Sequence, residues 1–305
     1  MSLRYTIARH GLLNNSYPII LGARDDCRTA TYRNRLFCVF VDDVVPNRAR
    51  YASRVAIGGW SGAIDVGCES HQGTPAIFTF QDKLYILASG RSTEDDEQNI
   101  APILAIYDPS RDRFDHVPFR YGFHGTPSLI EYDRSLYIFY RTAPGAMLMW
   151  SCTQDMQHWS TTQPVFSDGV DPIMPTLDPV ACVYQGLIHL FHDLPDGLGH
   201  IRFDGKSGWS RSRLFIEKAF RSPPGVVVHD GLLTLACTHP GGRDLDTTLY
   251  VYRYDGNALG LADMSIGVQA IGPAAASVME GLLFILYRAP DRPHDSSGQG
   301  GAHAR

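Results

Sequence analysis

The side chains of this 305-residue chain that are suited to catalysis or ligand capture fall into two recurring sets. One set stands just before a series of apolar runs: Asp25, Asp26 and Arg28, then His71, His124, Asp178 and Arg221. The other stands just after the partner runs: Asp42 and Asp43, then Arg91, Arg141, Asp193, His239 and Arg288. Carboxylates and imidazoles are the groups of general acid–base work, and guanidinium groups hold carboxylates with paired hydrogen bonds. Asp178 directly precedes Pro179, whose ring keeps it extended and so aims its carboxylate off the start of a strand. His124 and Asp193 are then the groups expected to tune it in opposite directions. Asp178, Asp193 and His124 are the candidate catalytic residues. Arg28, Asp42, His71, Arg91, Arg141, Arg221, His239 and Arg288 are the candidate ligand-binding residues. His71, His124 and Asp178 also have the ligand types of a transition-metal site, but no local spacing motif joins them, and neither a metal nor another cofactor is expected.

What brings such scattered residues together is a repeat. Six copies of one pattern run through the chain: TATYRNRLFCVF from Thr29, GTPAIFTFQDKLYILASG from Gly73, GTPSLIEYDRSLYIFYR from Gly125, LDPVACVYQGLIHLFHD from Leu177, SPPGVVVHDGLLTLACTH from Ser222 and IGPAAASVMEGLLFILYR from Ile271. Each is an apolar run, a tight polar turn and a second apolar run, which reads as a hairpin of buried strands. Their spacing of about 45 to 52 residues is that of propeller blades. A third strand, a turn headed by Asp and a fourth strand follow, as in IYDPSRDRF, TQDMQHWS, RFDGKSGWS and RYDGNALGL. Such an Asp bonds the backbone two residues on, and the aromatic that follows packs between sheets.

The sixth copy ends after its second strand. Its outer half is expected from the N-terminus, with Leu3 to Arg9 as third strand and Tyr17 to Leu21 as fourth, which removes an open edge. The expected fold is therefore all-β: a six-bladed β-propeller of four-stranded antiparallel blades closed by N-terminal strands, with a five-bladed ring as the alternative. Residues 1–290 form the single domain and 291–305, APDRPHDSSGQGGAHAR without its first residue, Ala289, and its second, Pro290, a disordered tail. In a blade, the loop entering the first strand and the loop leaving the second lie on one face, so both chemical sets converge on the mouth of the central channel.

Bulk properties narrow the partners. Lys plus Arg number 27 and Asp plus Glu 32, a net charge of −5 with no basic patch, which argues against nucleic acid. No run is long and apolar enough for a signal sequence or a membrane span, so a cytoplasmic location without membrane contact is expected. The six cysteines include no CxxC pair, and Cys38, Cys182 and Cys237 fall inside apolar runs, the pattern of reduced structural thiols. The loop RSTEDDEQN, Arg91 to Asn99, reads as a solvated acidic loop.

At this level the chain resembles the sialidase-like and arabinanase-like propellers. The turn SCTQDMQHWS, Ser151 to Ser160, is similar to the Asp box of sialidases with Met156 at its Gly position. FRSPPGVVVHDGLLTLA, Phe220 to Ala236, is similar to the sialidase Arg-Ile-Pro entry and its hairpin, which implies Arg221 as a carboxylate clamp with Arg141 and Arg288 as further arms. LDPVACVYQGLIHLF is similar to the Asp-Pro entry of arabinanase-like glycosidases, which implies Asp178 as catalytic base. A Tyr/Glu nucleophile and a general-acid Glu are not assigned in this chain. The resulting expectation is a carbohydrate-directed propeller with one asymmetric central site for a glycan or small molecule, glycosidase-like in its chemistry. The alternatives are a lectin-like module without catalysis, a protein-interaction scaffold, and a non-hydrolytic enzyme using His71 or His124 as acid/base.

Overall fold

A computed structural model describes residues 2–9, 12–13, 17–21, 23–55, 57–89, 101–206, 208–217, 222–240, 247–261 and 268–289. They build a six-bladed β-propeller of antiparallel sheets. Blade 1 runs through Ala23–Tyr32, Arg35–Asp42, Arg48–Val55 and Ile64–Glu69. Blade 2 comprises Ala76–Phe80, Lys83–Ala88, Ile103–Asp108 and Arg113–Pro118. Blade 3 comprises His124–Tyr132, Ser135–Arg141, Met149–Thr153 and Gln163–Pro164. Blade 4 comprises Val180–Tyr184, Leu187–Leu194, Gly197–Phe203 and Arg213–Ile216. Blade 5 comprises Gly225–His229, Leu232–Pro240, Thr247–Tyr254 and Leu259–Leu261. Blade 6 takes Ile271–Met279 and Leu282–Ala289 from the end of the chain and its outer strands from the beginning.

The closure is a full ladder, Ser2 opposite Ala289 through Ala8 opposite Leu283. Tyr17–Leu21 then pairs with the far edge of Ser2–Arg9, beside a short strand Leu12–Leu13. The expected first and last strands therefore share one sheet, and the five-bladed alternative falls away. First strands of successive blades touch all the way round, including blade 6 to blade 1.

All six inner hairpins turn on two residues that both have positive φ: Arg33–Asn34, Gln81–Asp82, Asp133–Arg134, Gln185–Gly186, Asp230–Gly231 and Glu280–Gly281. This is the I′ geometry that matches strand twist. The turns therefore put the six blades in a common register, five residues from the turn: Arg28 opposite Val39, Ala76 opposite Leu87, Ser128 opposite Phe139, Val180 opposite Phe191, Gly225 opposite Ala236 and Ala275 opposite Leu286. Outer turns follow the expected Asp logic. Asp155 Oδ1 accepts the Gln157 and His158 N–H groups at 2.9 and 2.7 Å, and Asp255 Oδ1 accepts those of Asn257 and Ala258 at 2.7 and 2.8 Å. These bonds, led by that from the His158 side chain, pull the Asp155 carboxyl well below the ordinary range.

Second strands are covered on both faces by neighbouring sheets, which is why they read as unbroken apolar runs: every residue of Ser135–Arg141 is buried. The apolar interior is accordingly divided into six clusters, one per pair of adjacent blades. Trp159 lies edge-on to Phe119 and Tyr121, and Trp209 stacks on Phe203 at 4.6 Å. The outer tryptophans thus pack against the blade aromatics around them.

Candidate functional site

Counting seven residues back from each inner turn gives one equivalent position per blade, at or near the start of the first strand: Asp26, Thr74, Thr126, Asp178, Pro223 and Pro273. All six line one open cavity of about 450 Å3 at the mouth of the channel, together with Gly73, Ser222, Gly272, Thr176, Leu177, Arg28, Arg141 and Arg288. Asp26 and Asp178 belong to blades 1 and 4, three blades apart in a ring of six, so they enter the mouth from opposite sides. Arg141, the last residue of the second strand of blade 3, and Arg288, the last but one of that of blade 6, are opposed in the same way.

The two halves also share backbone geometry. His124 pairs with Arg141 and Ile271 with Arg288, each across a register shift that leads to Ser128 opposite Phe139 or Ala275 opposite Leu286. The next residues, Gly125 and Gly272, have φ of +74° and +73°. A Cβ at Gly125 would run into the Asp178 carboxylate, and one at Gly272 into that of Asp26. Each aspartate therefore rests on a glycine of the preceding blade, where no other residue leaves room. The Thr, Pro and Arg28 positions break this two-fold echo, so the mouth as a whole is asymmetric.

Asp178 is fixed by two donors. Arg141 Nη2 donates to its Oδ1 at 2.6 Å, and the Thr126 N–H donates to its Oδ2 at 3.0 Å. Arg141 is 4% exposed and also donates from Nη1 to the carbonyls of Thr176 at 2.7 Å and Pro175 at 3.4 Å. Asp193 holds the same segment from below, accepting the N–H groups of Thr176 at 3.0 Å and Leu177 at 2.9 Å and the Thr176 hydroxyl at 2.6 Å. Hydroxyls tie the entries of successive blades together: Thr74 Oγ1 donates to the Asp26 carbonyl, Thr126 Oγ1 to the Thr74 carbonyl, and Thr238 Oγ1 to the Gly272 carbonyl. These side chain-to-backbone bonds stiffen the mouth without using its charges.

Of the sequence candidates, Arg28, Arg141, Asp178 and Arg288 come together in the cavity. Asp193 lies just behind it as a support. Asp42 is buried at the end of its strand, capping the Val44 N–H at 2.9 Å and paired with Arg50. His71 bonds Glu69 at 3.0 Å on the exposed entry loop of blade 2. His124 pairs across to Arg141 in the ladder and does not line the cavity. His239 is buried inside blade 5, with Nε2 at 3.0 Å from the Tyr252 hydroxyl. Arg91 and Arg221, and the side chain of Asp25, lie outside the described residues. Thr74, Thr126 and Ser222 also line the cavity without being marked by charge or motif, and Asp26 is only one of three charged residues at the start of blade 1. The signal for Asp26, Thr74 and Thr126 was the constant distance to the hairpin turn; Ser222 lies one residue before the equivalent position, Pro223.

No protein-family model matches the chain, and comparison with curated proteins finds no match. Solved structures do match. The α-L-arabinanase of Penicillium chrysogenum, solved with arabinobiose, is similar at a TM-score of 0.64 and 10% identity over 95% of this chain and 98% of its own. The α-L-arabinofuranosidase of Clostridium thermocellum gives 0.51 and 12%, over 80% and 93%. A Hadza microbial sialidase gives 0.60 and 9%, over 86% of this chain and 65% of that longer one. At such identities the likeness is one of fold, and it places this chain among propellers of the arabinanase and sialidase architecture.

Proposed function

We propose that the protein is a carbohydrate-directed propeller that takes its ligand in the central mouth, and that Asp26 and Asp178 form its working carboxylate pair for glycosidase-type hydrolysis. The observation that carries this reading is the entry of two aspartates, from opposite blades and at the same strand position, into one cavity of about 450 Å3. Glycoside hydrolysis asks for two carboxyl groups flanking the scissile bond, one acting on the leaving oxygen and one on water or the anomeric carbon. Arg141 and Arg288 supply guanidinium donors around the same space for sugar hydroxyls. That structural neighbours include an arabinanase bound to arabinobiose adds support from the fold.

A second reading, a sugar-binding module without turnover, is favoured by one observation. Both oxygens of Asp178 are already engaged, by Arg141 and by the Thr126 N–H. A carboxylate held this way is an acceptor fixed in place rather than a mobile proton carrier.

A panel of chromogenic glycosides and a glycan array decide between them. Hydrolysis by the wild type that falls roughly 100-fold or more in Asp178→Asn or Asp26→Asn, with glycan binding retained, supports the enzyme. Binding without turnover of any glycoside supports the module. Glycan binding unchanged in Asp26→Asn, Asp178→Asn and Arg288→Ala removes the mouth as the site.

A further inference from the structure

Arg28 is out of place in its ring. Five residues before the hairpin turn, the other five blades carry Ala76, Ser128, Val180, Gly225 and Ala275, all small and uncharged. These residues and their neighbours line a narrower space of about 160 Å3 inside the channel, below the mouth. Arg28 lines both spaces and so stands at the step between them. Among the described residues it has no hydrogen-bond or ion-pair partner, although Asp26 and Asp178 line the same mouth. The small side chains around it leave an unfilled volume where the other blades would meet.

Half-burying a cation without a partner is unfavourable, since desolvation is not repaid by any pairing among the described residues. Arg28 also interrupts the two-fold echo of the mouth. Its counterpart across the ring is Val180, so an anion held by Arg28 inside the channel faces the apolar Pro179, Val180 and Ala181, with the Asp178 carboxylate left in the mouth. A planar fork of donors matches a carboxylate or phosphate, and Arg binds such groups with two parallel bonds.

From this we infer that the ligand of the mouth is an acidic sugar, and that Arg28 receives its anionic group at the top of the channel and so sets the direction in which the ligand lies. The inference rests on the reading of the mouth as a carbohydrate site, and adds the charge and orientation of the ligand. Arg28 is here a specificity residue, with the Asp26 and Asp178 carboxylates facing the uncharged part of the sugar.

The test uses the full chain and titrates it calorimetrically with glucuronic- and galacturonic-acid oligosaccharides, with sugar phosphates, and with the matching neutral oligosaccharides. Wild type is expected to prefer the acidic members by tenfold or more. Arg28→Met is expected to erase that preference, and Arg28→Lys to keep part of it. The arms with uronic acids and with phosphates identify which anion is taken. Arg28→Met should also raise the melting temperature, because the variant matches the uncharged residues of the other blades. Equal affinity for acidic and neutral ligands, a preference that survives Arg28→Met, or a lower melting temperature in that variant overturns the inference. Neutral glycans bound at the mouth without any acidic preference would sink this inference alone, whereas the absence of all glycan binding would remove the mouth reading with it.

Discussion

Arg141 of blade 3 reaches across the blade boundary to hold Asp178 of blade 4, Nη2 to Oδ1 at 2.6 Å, while its other terminal nitrogen bonds the Thr176 carbonyl at 2.7 Å. One buried guanidinium thus locks both the carboxylate and the backbone that presents it. Removing one partner of such a pair leaves the other uncompensated, at a cost of about 3–5 kcal/mol. Arg141→Ala is therefore expected to lower the urea midpoint markedly. Arg141→Lys should recover little, because an ammonium lacks the fork that reaches both acceptors. A Lys variant as stable as wild type would show that charge alone is enough.

Gly125 is the seat of Asp178. Its φ of +74° and the absence of room for a Cβ act together, so Gly125→Ala should destabilise by more than the roughly 1–2 kcal/mol of left-handed backbone strain. The displaced carboxylate should also weaken ligand binding or turnover. Gly272→Ala should do the same through Asp26. Gly231→Ala serves as the control, since a Cβ there meets nothing within 4 Å at a similar φ of +73°. Equal losses in all three would leave backbone strain as the whole effect.

Blade 4 contains a buried imidazole pair, His200 Nε2 to His189 Nδ1 at 2.9 Å, with His200 stacked on Phe191. Burial, then the nearby Arg202, lowers His189 from its ordinary 6.5 to about 4. Burial, then His189 and Arg202, lowers His200 to about 3. The unfolded chain takes up these protons near pH 6.5 and the folded one resists. Stability is then full above pH 6.5 and falls as pH drops from there toward 4. The melting temperature should decline over that window by on the order of 5 °C or more. His200→Phe, which keeps the aromatic stack, should flatten the decline. A pH profile unchanged in that variant would assign the loss to other groups.

Deleting residues 1–21 strips Ser2–Arg9 from its ladder with Leu282–Ala289 and leaves a long apolar edge open. Such an edge recruits other chains, so aggregated protein is expected from size-exclusion chromatography. A well-folded monomer would mean that blade 6 stands without its borrowed strands.

The fold was legible because its signals are local. Apolar runs and two-residue turns recur in every blade and Asp-headed outer turns in four of the six, and each dictates its own hairpin. The incomplete sixth copy beside unpaired strand patterns at the N-terminus told how the ring closes. The candidate site was legible only in part. Asp178 and Arg141 stand at strand ends where composition marks them. His239 occupies the same stretch of sequence, yet the alternation of side chains across a strand turns it into the blade toward Tyr252. The pairing of Asp26 with Gly272 joins residues 246 positions apart in the chain, a contact made by ring closure that no local pattern announces.

That closure has a consequence during synthesis. The strand Ser2–Arg9 leaves the ribosome long before its partner Leu282–Ala289, with all of blades 1 to 5 synthesised between them. At about 5–20 residues per second, the wait lasts on the order of tens of seconds. Throughout that interval five blades can form in order while the sixth has only its outer half and the ring has a gap. The strand Ser2–Arg9 is thus a tether held in reserve, vulnerable to chaperones, proteases and neighbouring nascent chains, and the mouth with its Asp26 seat is complete only after Leu282–Ala289 has emerged.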